Sequence, residues 1–509
     1  MLNNLTNFFS IIKSKAIKTS LQDSDLIAIG TKQSPALGDY KPTAIQFADL
    51  KAQIQAGMGG LTFVTVDGIT ITGSGVPGDP LVGQGVDVRY SNILWVDRAN
   101  GNDTTAEIGV FNKPFQNISA AVSAAYGQFS STDRGLIYIR KAEYTDPVYL
   151  YPDVDFYAEP GVTFTRNGFI DTPSTGTVNI YGYARFLNSS AALVAMYSSN
   201  IYMEFDEANQ GNTSIYNSNG VLEIKPTSAY NCNITVKCRK IKSYCTNAYA
   251  VTVRGNSNVN LIVDESIEGT YDPIYLRYSA DGTNFSGTLN VTCPNITTLD
   301  GGWAGNLATY KSGIKLFRVA STAKITINGN FFNKCAAYYG TGVCTVNASA
   351  GTQETLTING NVNSPFAGGF NVSGTGSKFT FRGTMNIGGY GAVTNGTAEV
   401  KFIDSAIVLN SNVSYATIGN LAGSSIIYFV NTSIVNPNAG NVTNANPTSY
   451  VYHYNTQAYS SNIATPGLFA NGGNIGAVNS FCNTATAGTT NVFTTLGLTT
   501  DTLFKLPTF

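Results

Sequence analysis

Residues 355–383 read "TLTINGNVNSPFAGGFNVSGTGSKFTFRG". Two segments in this stretch, TLTING from Thr355 and KFTFRG from Lys378, share one form: a few alternating residues followed by a turn residue. They start 23 residues apart. Alternation with period two marks a strand that buries one face, so Phe379 and Phe381 are expected inward and Thr380 outward. KITING from Lys324 repeats the pattern, with Ile325 and Ile327 inward and Thr326 outward. Related segments begin at Val178, Asn200, Val221, Asn233, Val259 and Thr288 on one side, and at Glu399 and Ile426 on the other. Successive starts differ by 22, 21, 12, 26, 29, 36, 31, 23, 21 and 27 residues. Most steps lie between 21 and 31, which indicates a solenoid.

The L-x-x-L-x-L frame of leucine-rich repeats is missing, and no helix-period stretch fits between the strands. The remaining reading is a mainly β chain with a parallel β-helix over residues 92–440. Asn at strand ends (Asn328, Asn359, Asn431) suits tight turns and stacked amide ladders. The irregular steps imply loops of variable length on a rigid scaffold, where recognition tends to sit.

A chain of 509 residues exceeds what one compact core serves, so several domains or a solenoid are expected. Charged residues make up 12%, with 30 basic against 31 acidic, which removes the electrostatic footprint for nucleic acid or an anionic membrane. No run approaches the roughly 18 apolar residues of a membrane span. In the opening MLNNLTNFFSIIKSKAIK the lysines follow the apolar patch, so no secretory signal is expected. The seven cysteines are odd in number and lack C-x-x-C spacing, which argues against a disulfide scaffold or a zinc site. Cys238 continues the inward set Ile234 and Val236. No cofactor and no metal are expected.

Residues 1–60 are expected to hold two short amphipathic helices. Leu5, Phe8, Phe9 and Ile12 follow helical spacing with Leu2, and a second helix is expected from Thr43, with Gln46 completing a capping box. Phe47, Leu50 and Ile54 share a face of that second helix. Such stripes need a partner, either an anchoring or oligomerising surface or the chain's own later body. Residues 61–91 follow as a neck, strand-like in LTFVTVDGITIT and Gly/Pro-rich afterwards. A helix with an apolar face of Ile118, Ala121, Val122 and Ala125 follows the first strand of the third region. Beyond residue 440 the rhythm weakens, and 441–509 reads as a β-rich cap or tip.

The stretch WVDRANGNDTTAEIGVFNKPFQNISAAVSAA (95–125) resembles the start of pectin-lyase-like right-handed β-helix domains. ITGSGVPGDPL (71–81) is similar to a segment found ahead of the receptor-binding portion in many bacteriophage fibre proteins. DLIAIGTKQSPALGDYKPTAIQFADLKAQI (25–54) is similar to the starts of virion proteins in phages of Bacteroidetes, including crAss-like phages. The resemblance covers residues 20 to about 125 by motif and the solenoid by pattern. It implies a homotrimeric tail fibre, tailspike or head fibre of the virion, with a right-handed β-helix. It further implies an N-terminus anchored to other phage structural proteins, and attachment to a host-surface polysaccharide or another receptor. Synthesis in a bacterial cytoplasm fits the absence of a signal.

Some phage β-helix spikes cleave surface polysaccharide, as glycoside hydrolases or lyases, which makes paired carboxylates the candidates for chemistry. Strand neighbours lie about 4.8 Å apart, and one or two coils span the separations that glycosidases use. In NIYMEFDEA the alternation leaves Glu204 and Asp206 outward, and in VLEIK it leaves Glu223 outward. If Met203 stacks on Leu222, Glu204 and Glu223 become neighbours. The competing reading is a solvated face neutralised by Lys225, Lys237 and Arg239. Asp264, Glu265 and Glu268 read as a surface loop, and His453 as a member of an aromatic cluster. Asp97 to Asp103 lack the calcium-loop frame. For sugar binding through aromatic faces the candidates are Tyr338 and Tyr339, and Tyr450, Tyr452 and Tyr454; packing is the alternative.

Overall fold

The computed structural model describes the strands Leu26–Lys32, Tyr40–Gln46, Val64–Val66, Ile69–Thr72 and Val82–Gly83, and then residues 92–460, 474–478 and 480–482. Within 92–460 it leaves out 166–167, 173–175, 188–190, 198, 212–219, 227–230, 245–248, 271, 278–283, 300–312, 318, 321, 335–340, 348–354, 366–367, 375, 389–390, 410–418, 422, 437–442 and 446–447. Two compact units divide at Val88.

In the first unit, Leu26–Lys32 pairs antiparallel with Tyr40–Gln46. Thr43 and Gln46 therefore lie in a strand and do not open the expected helix. The sequence YKPTAIQ, with its aromatic and β-branched residues, suits an extended chain, and a two-stranded ribbon tolerates Pro42, which donates no hydrogen bond. Phe47, Leu50 and Ile54 lie outside the described residues, as do Leu5, Phe8 and Phe9. Within 61–91, Val64–Val66, Ile69–Thr72 and Val82–Gly83 form a small antiparallel sheet.

The second unit is mainly β, and its pairing is that of a parallel solenoid. Each strand bonds to the equivalent strand one coil away, from Ile93–Val96 on Gly135–Ile139 to Tyr450–Tyr454 on Asn474–Val478. The chain visits three columns of parallel strands in turn. The first two are joined where long strands, such as Ser199–Gln210, Cys232–Ser243 and Ser257–Gly269, run through a corner and serve both. The third, among the described residues, is a separate sheet of twelve strands that includes Leu193–Ala195, Leu222–Ile224 and Val251–Arg254. The same parallel pairing continues past residue 440 to Phe481–Cys482.

Alternation sets the core, as expected from sequence. Ile325, Ile327, Phe379 and Phe381 are buried, while Thr326 and Thr380 are half-buried on the outer side. Cys238 is buried as well, in register with Phe205 and Val263. Inside the coils, like residues stack on like: Phe164 lies on Phe186 at 5.0 Å, and Phe402 on Phe429 at 5.2 Å. Each such ring removed from water contributes roughly 1.5–3 kcal/mol. The core is lined near its start by the helix Ile118–Ala125, which buries Ile118, Ala121, Val122 and Ala125.

The corner between the first two columns is a stack of special residues. A Cβ on Gly360 would lie 2.0 Å from the Gly329 carbonyl oxygen, and one on Gly383 (φ +139°) would lie 2.0 Å from that of Gly360. Later coils reach the left-handed region with Asp404, Asn431 and Asn455, at φ of about 50°. Asn431 Nδ2 donates to Asp404 Oδ1 at 2.9 Å, and Asn455 Nδ2 donates to Asn431 Oδ1 at 3.0 Å. Asn and Asp tolerate this backbone, and their side chains here replace the close backbone contact with a ladder.

Candidate functional site

The outer face of the first column carries an aromatic strip. Trp95, Tyr138, Tyr157 and Tyr181 occupy one register position on successive coils. Trp95 and Tyr138 are 4.8 Å apart between ring centroids, and Tyr138 and Tyr157 stack at 5.1 Å. Burial and the neighbouring Glu159 push the Tyr138 phenol up to about 12. The strip passes to Tyr202, whose ring lies 5.5 Å from that of Tyr181.

At Tyr202 a polar groove of about 370 Å³ begins. One of its sides is a ladder: Asn233 donates to Asn200 at 2.9 Å, Asn258 to Asn233 at 3.0 Å, and Thr288 to Asn258 at 2.9 Å. Two residues further along each strand runs a second row, Tyr202, Thr235, Asn260 and Asn290. The side chains of Thr235, Asn260 and Asn290 make no hydrogen bond to the described residues. The first row holds the coils together, and the second presents amide and hydroxyl groups to solvent. Lys237 Nζ sits 5.4 Å from the Tyr202 ring, and the Tyr202 hydroxyl donates to Glu204 at 3.1 Å. Asn179 closes one end, fixed by Asp155 through its backbone N–H at 2.8 Å and its amide at 3.0 Å.

The two carboxylates expected to be neighbours are on different sheets. Met203 pairs with Val236, so Glu204 faces Lys237 on the first column. Leu222 pairs with Leu193 and Val251 on the third sheet. NIYMEF and VLEIK are thus two faces of one coil, and the short step of 12 residues between Val221 and Asn233 was the sign of it. Glu223 is 1% exposed, not solvated, and it is held by Lys225 at 3.1 Å and Arg254 at 3.5 Å.

Asp206 belongs to an ionic network on the second column. Arg239 Nε meets it at 2.7 Å while the other guanidinium nitrogens reach Glu207 at 2.7 Å and Glu265 at 2.6 Å. Lys240 and Lys242 hold Glu268 at 3.1 and 3.0 Å. Glu265 and Glu268 lie in the strand Ser257–Gly269, in place of the expected loop. The network joins Asp206 to Arg239, and Arg185 lies 3.7 Å from it.

Asp97 and Asp103 serve the backbone. Asp97 Oδ1 accepts from the N–H groups of Ala99 and Asn100 at 3.0 Å, and its other oxygen accepts from Arg140 at 2.9 Å. Burial alone would raise its pKa, but the bonds from Asn100, Arg140 and Ala99 together bring it down to about 2. Asp103 accepts from the N–H groups of Gln116 and Asn117, just ahead of the helix.

Tyr450, Tyr452 and Tyr454 form a platform on the first column. Their rings are nearly parallel along the strand, with centroids 6.2 and 6.4 Å apart, and Tyr428 stacks on Tyr452 at 5.2 Å. Tyr338 and Tyr339 lie outside the described residues. His453 points the other way, into the core, stacked on Phe429 as an aromatic neighbour.

Sequence reasoning passed over Tyr202, Asn260 and Asn290. Their signal was the polar–apolar–polar triplet N-I-Y, N-I-T, N-V-N and T-L-N, beginning at Asn200, Asn233, Asn258 and Thr288. Comparison with known proteins finds no matching family model, no similar curated protein and no similar solved structure.

Proposed function

We propose that this chain is a bacteriophage fibre or spike protein that binds a host-surface glycan on the outer face of a right-handed β-helix, without cleaving it. The observation that carries the reading is the groove at Tyr202. It pairs an aromatic ring with a row of uncommitted amides and hydroxyls, and its floor row is uncharged from Tyr202 to Asn290. Sugars present the complementary chemistry: C–H faces that pack on aromatic rings, and hydroxyls that both donate and accept. The Tyr428–Tyr452 platform offers a second aromatic surface on the same column.

The motifs at 25–54 and 71–81 support the virion assignment, that at 95–125 supports the right-handed β-helix, and together they carry with them a homotrimer anchored through its N-terminal segment. The non-enzymatic reading rests on the carboxylates. Glu204 and Glu223 stand on different sheets, and Asp206 and Glu223 are tied to Arg and Lys. A depolymerase of the usual glycoside-hydrolase kind needs two carboxyls flanking one bond.

The test is to mix the full-length protein with capsule or surface polysaccharide from candidate Bacteroidetes hosts, measuring both retention and new reducing ends. Retention without reducing ends is the expected result. Release of reducing ends that disappears in Glu204→Gln would replace this reading with a depolymerase, and no retention by any host polysaccharide would remove the glycan altogether.

A further inference from the structure

The third sheet carries on its outer side a group of charges that the groove does not use. Arg254 and Arg277 are register partners, and Lys225 follows Ile224, the partner of Val253, so three cations succeed one another on adjacent coils. Adjacent coils are about 4.8 Å apart, a separation at which like charges repel. On this sheet Lys225 and Arg254 both pair with Glu223, and Lys315 lies 3.9 Å from Asp272.

Two polar groups at the centre of this cluster are left over. Thr252 is completely buried, and neither its Oγ1 nor Arg254 Nε has a hydrogen-bond partner. Both residues project from the same face of the strand Val251–Arg254, two positions and about 7 Å apart along it. A buried donor without an acceptor costs on the order of 1–3 kcal/mol, more when charged, so the pair marks a place where an acceptor belongs. Burial and the charge of Arg277 both push the Arg254 guanidinium below its ordinary value. A negative group arriving here would relieve that.

We propose that Thr252, Arg254 and Lys225, with Arg277 beside them, form an oxyanion-binding site. Arg254 Nε and Thr252 Oγ1 donate to the bound anion, and Lys225 and Arg277 supply charge. The ligand is an oxyanion of the carboxylate or phosphate kind, either free in solution or borne by an acidic polysaccharide. The site is on a different sheet from the groove, so it stands or falls separately from the glycan reading above.

The experiment titrates the full-length protein with inorganic phosphate, with oligogalacturonate and with neutral dextran, at constant ionic strength set by chloride. Thermal unfolding and calorimetry are the readouts. Phosphate or oligogalacturonate is expected to raise the melting temperature by about 2 °C or more at tenfold excess over its Kd, and dextran is not expected to act through this site. Binding of both anions points to a free anion, and binding of oligogalacturonate alone points to the polymer. Arg254→Gln and the near-isosteric Thr252→Val should each weaken binding by about fivefold or more. If Arg254→Gln fails to fold, Thr252→Val decides. An absence of anion binding beyond matched chloride, or an affinity unchanged in folded Thr252→Val, overturns the proposal.

Discussion

Phe429 and His453 lie face to face in the core of adjacent coils, with ring centroids 4.9 Å apart and planes at 12°. They are register partners, so the imidazole occupies a place in the aromatic stack that Phe402 and Phe429 fill in earlier coils. His453 is fully buried, and desolvation lowers its pKa from 6.5 to about 3.

This burial makes stability depend on pH. Between about pH 6.5 and 3 the unfolded chain binds a proton at His453 that the folded chain refuses, so stability is complete above pH 6.5 and falls as pH drops toward 3. The slope from this group is at most about 1.4 kcal/mol per pH unit. His453→Phe keeps the stack and removes the proton. Melting temperatures of the two proteins should be close at pH 7.5 and diverge in favour of the variant by pH 4.5. Parallel curves would show that His453 takes up its proton as readily in the folded protein as in the unfolded chain.

Gly383→Ala tests the corner. The added methyl would sit 2.0 Å from the Gly360 carbonyl oxygen, in a backbone with φ of +139°. The expected destabilisation is about 2 kcal/mol or more, because both the clash and the backbone are unfavourable. Gly127→Ala gives the comparison, since its φ is also positive (+72°) but nothing lies within 4 Å of its Cβ. Chemical denaturation should rank Gly383→Ala well below Gly127→Ala.

Arg239→Met tests the ionic network. The variant leaves Asp206, Glu207 and Glu265 without the guanidinium that now spans them. The side chain is 42% exposed, so solvent screens much of the interaction and the expected loss is only about 1 kcal/mol at low salt. Repeating the measurement in 1 M NaCl should shrink the difference. A loss that is large and independent of salt would mean that packing of the arginine stem, rather than charge, holds this corner.

The repeat itself was legible because one side of every strand must be apolar. Ile325 with Ile327, and Phe379 with Phe381, could be placed inward from alternation alone, and so could the buried face of the helix at Ile118. The third sheet was harder to see. Its strands are as short as Leu222–Ile224, with three residues, and they sit between long strands that turn a corner without a break. Reading each alternating segment as one coil put Glu223 a coil away from Glu204, when it is on another face of the same coil. The groove was missed because Asn and Thr on an outer face look like ordinary turn chemistry. Only the register across Asn200, Asn233 and Asn258 separates the amides that bond to each other from those that do not. The expected helix at Thr43 failed for a simpler reason: a capping-box pattern is short, and YKPTAIQ carries the composition of a strand.

The most direct measurement is a calorimetric titration of the retained host polysaccharide, or an oligosaccharide cut from it, into four proteins: wild type, Tyr202→Ala, Asn260→Ala/Asn290→Ala and Tyr452→Ala. All four substituted side chains face outward, so the fold should survive, and far-ultraviolet circular dichroism checks this. If the groove is the binding site, Tyr202→Ala and the double amide variant each lose about tenfold or more in affinity, equivalent to about 1.4 kcal/mol, and Tyr452→Ala loses less. Wild-type affinity in both groove variants would contradict it.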